Sequence, residues 1–445
     1  QSPATVRFTQ RVIDYWLTNY RIDGFRWDLA KGFTQTRTCD VQGNNCDVAA
    51  WGHYDAGRVA TWDTIYNQMQ TASPGSYCIL EMFADNSEQQ VEANYGMLLW
   101  GEDLSANYNQ ATMGYNTPSP GGATWDLSGS IYTSLGGWNA PGLVVYQDSH
   151  DDERLQYNNE QYGNHGGSYN ITDTATGLAR DAMATAFWAL APGPKMLTEF
   201  SELGFDYSIN WCTNGTVDQS GSCRLVPKPI RWDYLRDSAR KKLHDVHSSL
   251  LRLLANYPGL RTGATNYSLA GNVKYLGVSS DSLSVMVIGN FDVVPSTASI
   301  SFPSAGIWYD YLSGKTLQAT GGSQQMMFAA GEYHVYTNKN LGGPDTTTTS
   351  PVPVSPAGLA IYPNPAGIGS ATITYRLPVA GNSVLEVYSI SGARIATLYL
   401  GSQGAGTYSL PAGRLYDPAS LPNGLYVLKL VGAGITAHFP FLVLH

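Results

Sequence analysis

Residues 23–31 read DGFRWDLAK. A short apolar run that starts at Ile22 closes here on an acid, Asp28. Four more runs of the same kind follow: Tyr77 to Phe83, Met97 to Trp100, Leu143 to Asp148 and Pro194 to Phe200. Helix-like stretches such as Gly57 to Ala72 and Gly177 to Leu190 lie between them. Strands that alternate with helices predict parallel βαβ units, in which functional groups sit at the carboxyl ends of the strands. Upstream, Phe8, Val12, Ile13, Trp16 and Leu17 share one helical face, so the spacing predicts an opening helix over Val6 to Trp16.

Downstream the pattern changes. A basic amphipathic helix at Ser238 to Leu254 leads into alternating segments, Ser282 to Ile288 and Glu332 to Tyr336, with turns expected at Gly289-Asn290 and Ser313-Gly314. This reads as an all-β module. The stretch GGPDTTTTSPVPVSP has no apolar period and reads as a semi-extended linker. A last β-rich segment carries strands near Ala371 to Arg376, Ser383 to Ser389 and Gly424 to Leu430. The expected division is 1–255 for the α/β part, 256–341 for an all-β sandwich, 342–356 for the linker and 357–445 for a second β-sandwich. No tandem repeat is evident.

Over 445 residues, 26 Lys plus Arg stand against 35 Asp plus Glu, a formal charge of −9. No broad basic face is available for a phosphate backbone, which argues against a nucleic-acid partner. Charged residues make up 14%, against about 25% in an average soluble protein, while 47 Gly, 29 Tyr and 11 Trp enrich the chain in uncharged polar and aromatic groups. That balance suits a secreted protein handling a neutral polymer. No run of about 18 apolar residues predicts a membrane-spanning helix, and the first residues carry no signal-peptide pattern. Cys39 with Cys46 and Cys212 with Cys223 lie in Gly/Asn-rich loops and read as two loop disulfides, which implies an oxidising compartment; reduced surface thiols are the alternative. Cys78, inside an apolar strand, reads as a buried inert thiol.

Three of the expected strand ends carry acids: Asp28, Glu81 in ILEMF and Asp151 in SHDDER. Parallel strands of one barrel would bring them to one mouth. Glycosidic hydrolysis with retention needs a carboxylate nucleophile and a carboxylic acid about 5 to 5.5 Å apart. Glu81, flanked by Ile79, Leu80, Met82 and Phe83, is placed to keep a proton. Asp28, two residues after Arg26, is placed to stay ionised. Trp51, Trp100, Tyr108 and Trp211, near strand ends, could stack on sugar rings or simply pack under the loops.

Taken together, GFRWD with a Lys three residues on, LEMF and SHD resemble the α-amylase family of glycoside hydrolases in order and approximate spacing. The resemblance runs from about Gln1 to Leu341 and includes GPKMLTEFSELGFDYSIN and PKPIRWDYL. It implies a partial (β/α)8 barrel, about strands 4 to 8, followed by the β-sandwich that caps the family's barrel. Carried over by position, it implies Asp28 as nucleophile oriented by Arg26, and Glu81 as general acid and base. It further implies Asp151 holding the distorted sugar with His150 beside it, and Lys31 contacting sugar at a neighbouring subsite. Gly32 stands where many amylases have His, which puts contact at that one position in doubt. The implied partner is an α-glucan such as starch.

The family's first signature, an Asp followed by Asn-His, is not found upstream of Asp28. The expectation is therefore a fragment, or one piece of a nicked protein whose second polypeptide supplies barrel strands 1 to 3. The resemblance also implies a calcium ion whose site would be incomplete in this chain, the Gly32 backbone carbonyl being the one ligand that can be placed. The last segment, with IYPNPA, VLEVYSISGARIATL, LPNGLYVLKL and FPFLVL, resembles the C-terminal sorting domain of the type IX secretion system. It implies passage through the outer membrane to the cell surface or medium, with that machinery as a partner. A rival expectation is a non-catalytic glycan-binding or structural protein derived from an amylase.

Overall fold

The computed structural model describes residues 2–343, 359–362, 364, 366, 371–417 and 420–443. The chain divides into two compact units, Gln1–Pro344 and Asp345–His445. From residue 344 on, the expected linker lies outside the described residues, as do Pro363 and Pro365 of the IYPNPA motif.

The first unit opens with helix α1, Pro3–Tyr15, started by Pro at its first turn and by the Ser2 hydroxyl accepting from Ala4 N. A parallel sheet follows: β1 Gly24–Trp27, β2 Tyr77–Leu80, β3 Leu98–Trp100 and β4 Leu143–Val144, in the order β1-β2-β3-β4. A Cβ at Gly24 would lie 2.1 Å from the Tyr77 carbonyl, so only glycine allows β1 to start this close to β2. Among the described residues β1 pairs on one side only, with β2. The intervening helices are α2 Ala56–Ala72, α3 Asn86–Tyr95, α4 Leu104–Met113, α5 Leu155–Tyr162 and α6 Thr174–Leu190, with α7 Ser238–Asn256 after them. A two-residue hairpin, β5 His165–Gly166 with β6 Tyr169–Asn170, interrupts the run.

Two expectations need correcting. The fifth strand, Pro194 to Phe200, shrinks to one parallel bridge between Val145 and Lys195. Pro194 has no N–H to give, so the ladder keeps only Val145 N to Pro194 O and Met196 N to Val145 O. Further on, Gly289 and Asn290 end a strand and do not form a turn.

The all-β part of this unit holds a six-stranded sheet, order β12-β11-β14-β9-β8-β7, and the pair β10-β13. The strands are β7 Ala264–Ser268, β8 Val273–Ser279, β9 Ser284–Asn290, β10 Ser296–Ser301, β11 Ala305–Asp310, β12 Thr316–Thr320, β13 Ser323–Phe328 and β14 Tyr333–Thr337. Ser313 and Gly314 do lie in the β11–β12 turn, where Gly314 N donates to Asp310 O.

In the second unit, β15 Leu359–Tyr362, β16 Thr372–Leu377 and β19 Gly406–Pro411 form one antiparallel sheet. The other, ordered β18-β17-β20-β21, contains β17 Gly381–Ser389, β18 Arg394–Gln403, β20 Gly424–Gly432 and β21 Ile435–Val443. Alternation along β16, β20 and β21 points Ile373, Leu428, Leu430, Phe439 and Phe441 into a core of their own. Among the described residues no helix is long and apolar enough to cross a membrane.

Candidate active site

The parallel strands set where the acids stand. Asp28 and Glu81 are the residues that follow β1 and β2, and the ladder continues past the strand ends: Glu81 N donates to Trp27 O at 3.1 Å and Ala30 N to Glu81 O at 2.9 Å. Adjacent registers therefore bring the two carboxylates side by side.

Arg26 joins them. Its Nη1 donates to Asp28 Oδ1, and its Nη2 lies 3.3 Å from Glu81 Oε2. One guanidinium thus spans both acids, while its plane rests 4.9 Å from the Trp100 ring centroid. Glu81 also accepts the Leu29 N–H at 2.7 Å, so its surroundings are less apolar than its sequence neighbours suggest. Exposure separates the pair: the Asp28 side chain is 80% accessible and that of Glu81 16%. The hydrogen bond from Arg26 holds the Asp28 carboxyl below its ordinary pKa, with Glu81 and His150 acting in the same direction.

Asp151 is reached differently. The last paired residue of its segment is Val145, so Asp151 lies in a turn further along and not at a strand end. Its Oδ2 is 3.1 Å from His150 Nε2 and its Oδ1 is 3.0 Å from Arg224 Nη2. The same Arg224 nitrogen donates to the Asp151 carbonyl at 2.6 Å. Arg224 escaped the sequence reading because 73 residues separate it from Asp151; its one signal was its place next to Cys223.

Lys31 sits in a 3₁₀ turn after β1, where its carbonyl accepts from Arg58 Nη1 at 2.7 Å, and its ammonium is near enough to act on Glu102. Gly32 is in the same turn, against the Trp51 ring. Among the described residues no group of three or more His, Cys, Asp or Glu side chains is placed to hold a metal ion.

Of the aromatic candidates, Trp100 is buried under Arg26 and against Tyr146, 5.2 Å between centroids. Tyr108 is wholly buried on α4, its hydroxyl meeting Ser130 Oγ at 3.3 Å, and is core and not a loop platform. Trp51 and Trp211 remain partly exposed, Trp211 edge-on to Tyr207 at 5.3 Å. Both expected disulfides, Cys39–Cys46 and Cys212–Cys223, are formed. Cys78 is buried, and burial pushes its thiol up to about 12.

No protein-family profile matches the sequence, and no curated protein matches it in sequence. Solved structures do match the fold. AmyP, in complex with maltose, superposes over 78% of this chain and 70% of its own, at 18% identity and a TM-score of 0.56. The α-amylase from Geobacillus thermoleovorans, complexed with acarbose, covers 76% and 64% at 12% identity and 0.51. An Anoxybacillus α-amylase covers 76% and 63% at 11% identity and 0.51. At these identities the likeness is one of fold.

Proposed function

We propose that the chain carries the carboxylate machinery of a secreted retaining α-glucan hydrolase of the α-amylase type, cleaving α-1,4 bonds of a starch-like polymer. The observation that carries this reading is the single Arg26 guanidinium spanning Asp28 and Glu81 on adjacent parallel strands. Two acids held together in unequal settings are what two-step glycoside transfer needs. The fold neighbour bound to maltose supports an α-glucan as ligand.

In the mechanism, Asp28, exposed and kept anionic by Arg26, attacks the anomeric carbon. Glu81, less accessible, protonates the departing oxygen and then takes a proton from the water that releases the glycosyl group. Asp151 receives hydroxyls of the distorted ring, with His150 alongside and Lys31 at a neighbouring subsite. The second unit acts as an export-sorting domain read by type IX machinery, in keeping with the two disulfides and the pattern of its strands.

A second polypeptide would add its strands on the side of β1 that has no partner among the described residues. A cavity of about 490 Å³ between α1 and α2 is lined by Val6, Thr9, Gly32, Phe33 and Ile65. A polypeptide that adds strands beside β1 would cover both features. The one-sided pairing of β1 also favours a second reading, glycan binding without turnover.

Turnover of soluble starch, by the chain alone and co-expressed with a polypeptide supplying the three strands, tests the proposal. Activity in either preparation that Asp28→Ala removes supports the enzyme. Residual activity within about tenfold of wild type, about 1.4 kcal/mol of barrier, overturns the assignment. Binding of maltooligosaccharides with no turnover in either preparation selects the second reading.

A further inference from the structure

The loop that carries Arg224 to Asp151 is closed at its base. Cys212 and Cys223 are bonded across 11 positions, and Arg224 is the next residue. Lys228 Nζ donates to the carbonyls of Trp211 at 3.1 Å, Cys223 at 2.8 Å and Val226 at 3.2 Å, so one ammonium ties both sides of the disulfide. Glu153 fixes the loop to the Asp151 segment by accepting from Ser208 Oγ at 2.7 Å and Ile209 N at 2.8 Å. Arg154 Nη1 braces that segment in turn, donating to the Ser149 and Asp152 carbonyls, each at 2.7 Å. Arg224 is the member of this set that reaches Asp151 itself, whose two carboxylate oxygens face His150 and Arg224.

We propose that Arg224 is a positioning residue for Asp151 and that the Cys212–Cys223 bond holds it in place, so the site is sensitive to thiol reductants. A guanidinium donating to both the carbonyl and the carboxylate of one residue fixes its rotamer as well as its charge partner. Arg224 is 41% and Asp151 54% exposed, so the pair alone would be weak in water; the covalent loop supplies the rigidity that the exposed pair lacks. Reduction by a dithiol breaks the S–S bond, places one proton and one electron on each sulfur, and leaves the reductant as its own cyclic disulfide. Arg224 then hangs on a chain no longer closed. The inference rests on the reading of Asp151 as the group that meets substrate, and the experiment separates the two.

The test is carboxyl labelling of the full-length protein with a carbodiimide and glycine ethyl ester, read at Asp151 by peptide mass spectrometry. Arg224→Gln should raise the labelling rate about two- to fivefold, the range an exposed pair allows, and Cys212→Ser with Cys223→Ser should do the same. Arg224→Lys should recover part of the protection. Cys39→Ser with Cys46→Ser, which opens the other loop, should leave Asp151 unchanged. Equal labelling of Arg224→Gln and wild type overturns the proposal, whatever the cysteine variants do. A rise in Arg224→Gln alone, with the Cys212/Cys223 variant folded and protected, overturns the role of the disulfide. On soluble starch, Arg224→Gln should lower kcat about tenfold with KM within about twofold, and a change in KM alone would make Arg224 a binding contact and remove the positioning role. If the wild type turns over no starch, either alone or with the co-expressed polypeptide, the enzymatic reading fails while the labelling arm still decides the clamp.

Discussion

The Arg26 side chain meets two acids in unequal settings. It donates to Asp28 and lies beside Glu81, the two acids differ fivefold in exposure, and the hydrogen bond draws the more accessible Asp28 below its ordinary pKa. A nucleophile must be anionic and within reach of substrate, while the acid must hold and release a proton. Glu81→Gln should therefore lower starch turnover about 10²- to 10⁴-fold and recover in part on a glycosyl fluoride, whose leaving group needs no proton. Equal losses on starch and on the fluoride, measured by released sugar and released fluoride, would exclude Glu81 as the acid.

At the scale of elements, loops after strands are held by buried charges. Arg58, at the start of α2, donates to Glu88 on α3 and to the carbonyls of Lys31, Trp51 and His53, and neither Arg58 nor Glu88 is exposed. Removing one partner strands the other in the interior, so Arg58→Ala should cost about 3–5 kcal/mol in urea unfolding, and a loss under about 1 kcal/mol would refute this account. In the sandwich, His334 on β14 lies 2.8 Å from Asp310 and 3.0 Å from Glu332, one carboxylate at each ring nitrogen. Only the doubly protonated ring donates to both. Burial opposes that charge, but the two hydrogen bonds outweigh it and raise the His334 pKa. A raised native pKa gives stability that is complete below the unfolded value near 6.5 and is lost as pH climbs through the native one. The gap in melting midpoint between wild type and His334→Gln should accordingly be widest below about pH 6 and narrow toward alkaline pH; a gap independent of pH would show that His334 is neutral.

For the whole molecule, each unit contains its own apolar core. Trp62, Trp188 and Leu250 belong to the first, and Ile373, Leu428 and Phe441 to the second. Deleting 345–445 should leave the first unit's calorimetric midpoint within about 2 °C, the shift that a change of about 1–1.5 kcal/mol produces in a unit of this size. A fall of 10 °C or more would mean that the second unit's core supports the first.

The sequence by itself determined most of the elements and which acids follow β1 and β2. Apolar runs of period two and 3.6 define strands and helices because burial rewards one face at a time, and an acid that closes a parallel strand is carried to the sheet's carboxyl edge by the geometry of βαβ units alone. Asp28 and Glu81, which directly follow paired residues, were legible for that reason. What only the tertiary structure decided was pairing across distance. The pattern could not show that Pro194 would reduce a strand to one bridge, that Asp151 would sit in a turn beyond Val145, that Tyr108 would be wholly buried on a helix, or that a residue beside a disulfide would reach Asp151. Each depends on which groups meet after the loops close, and hydrogen bonds between residues 73 positions apart leave no periodic trace in a chain.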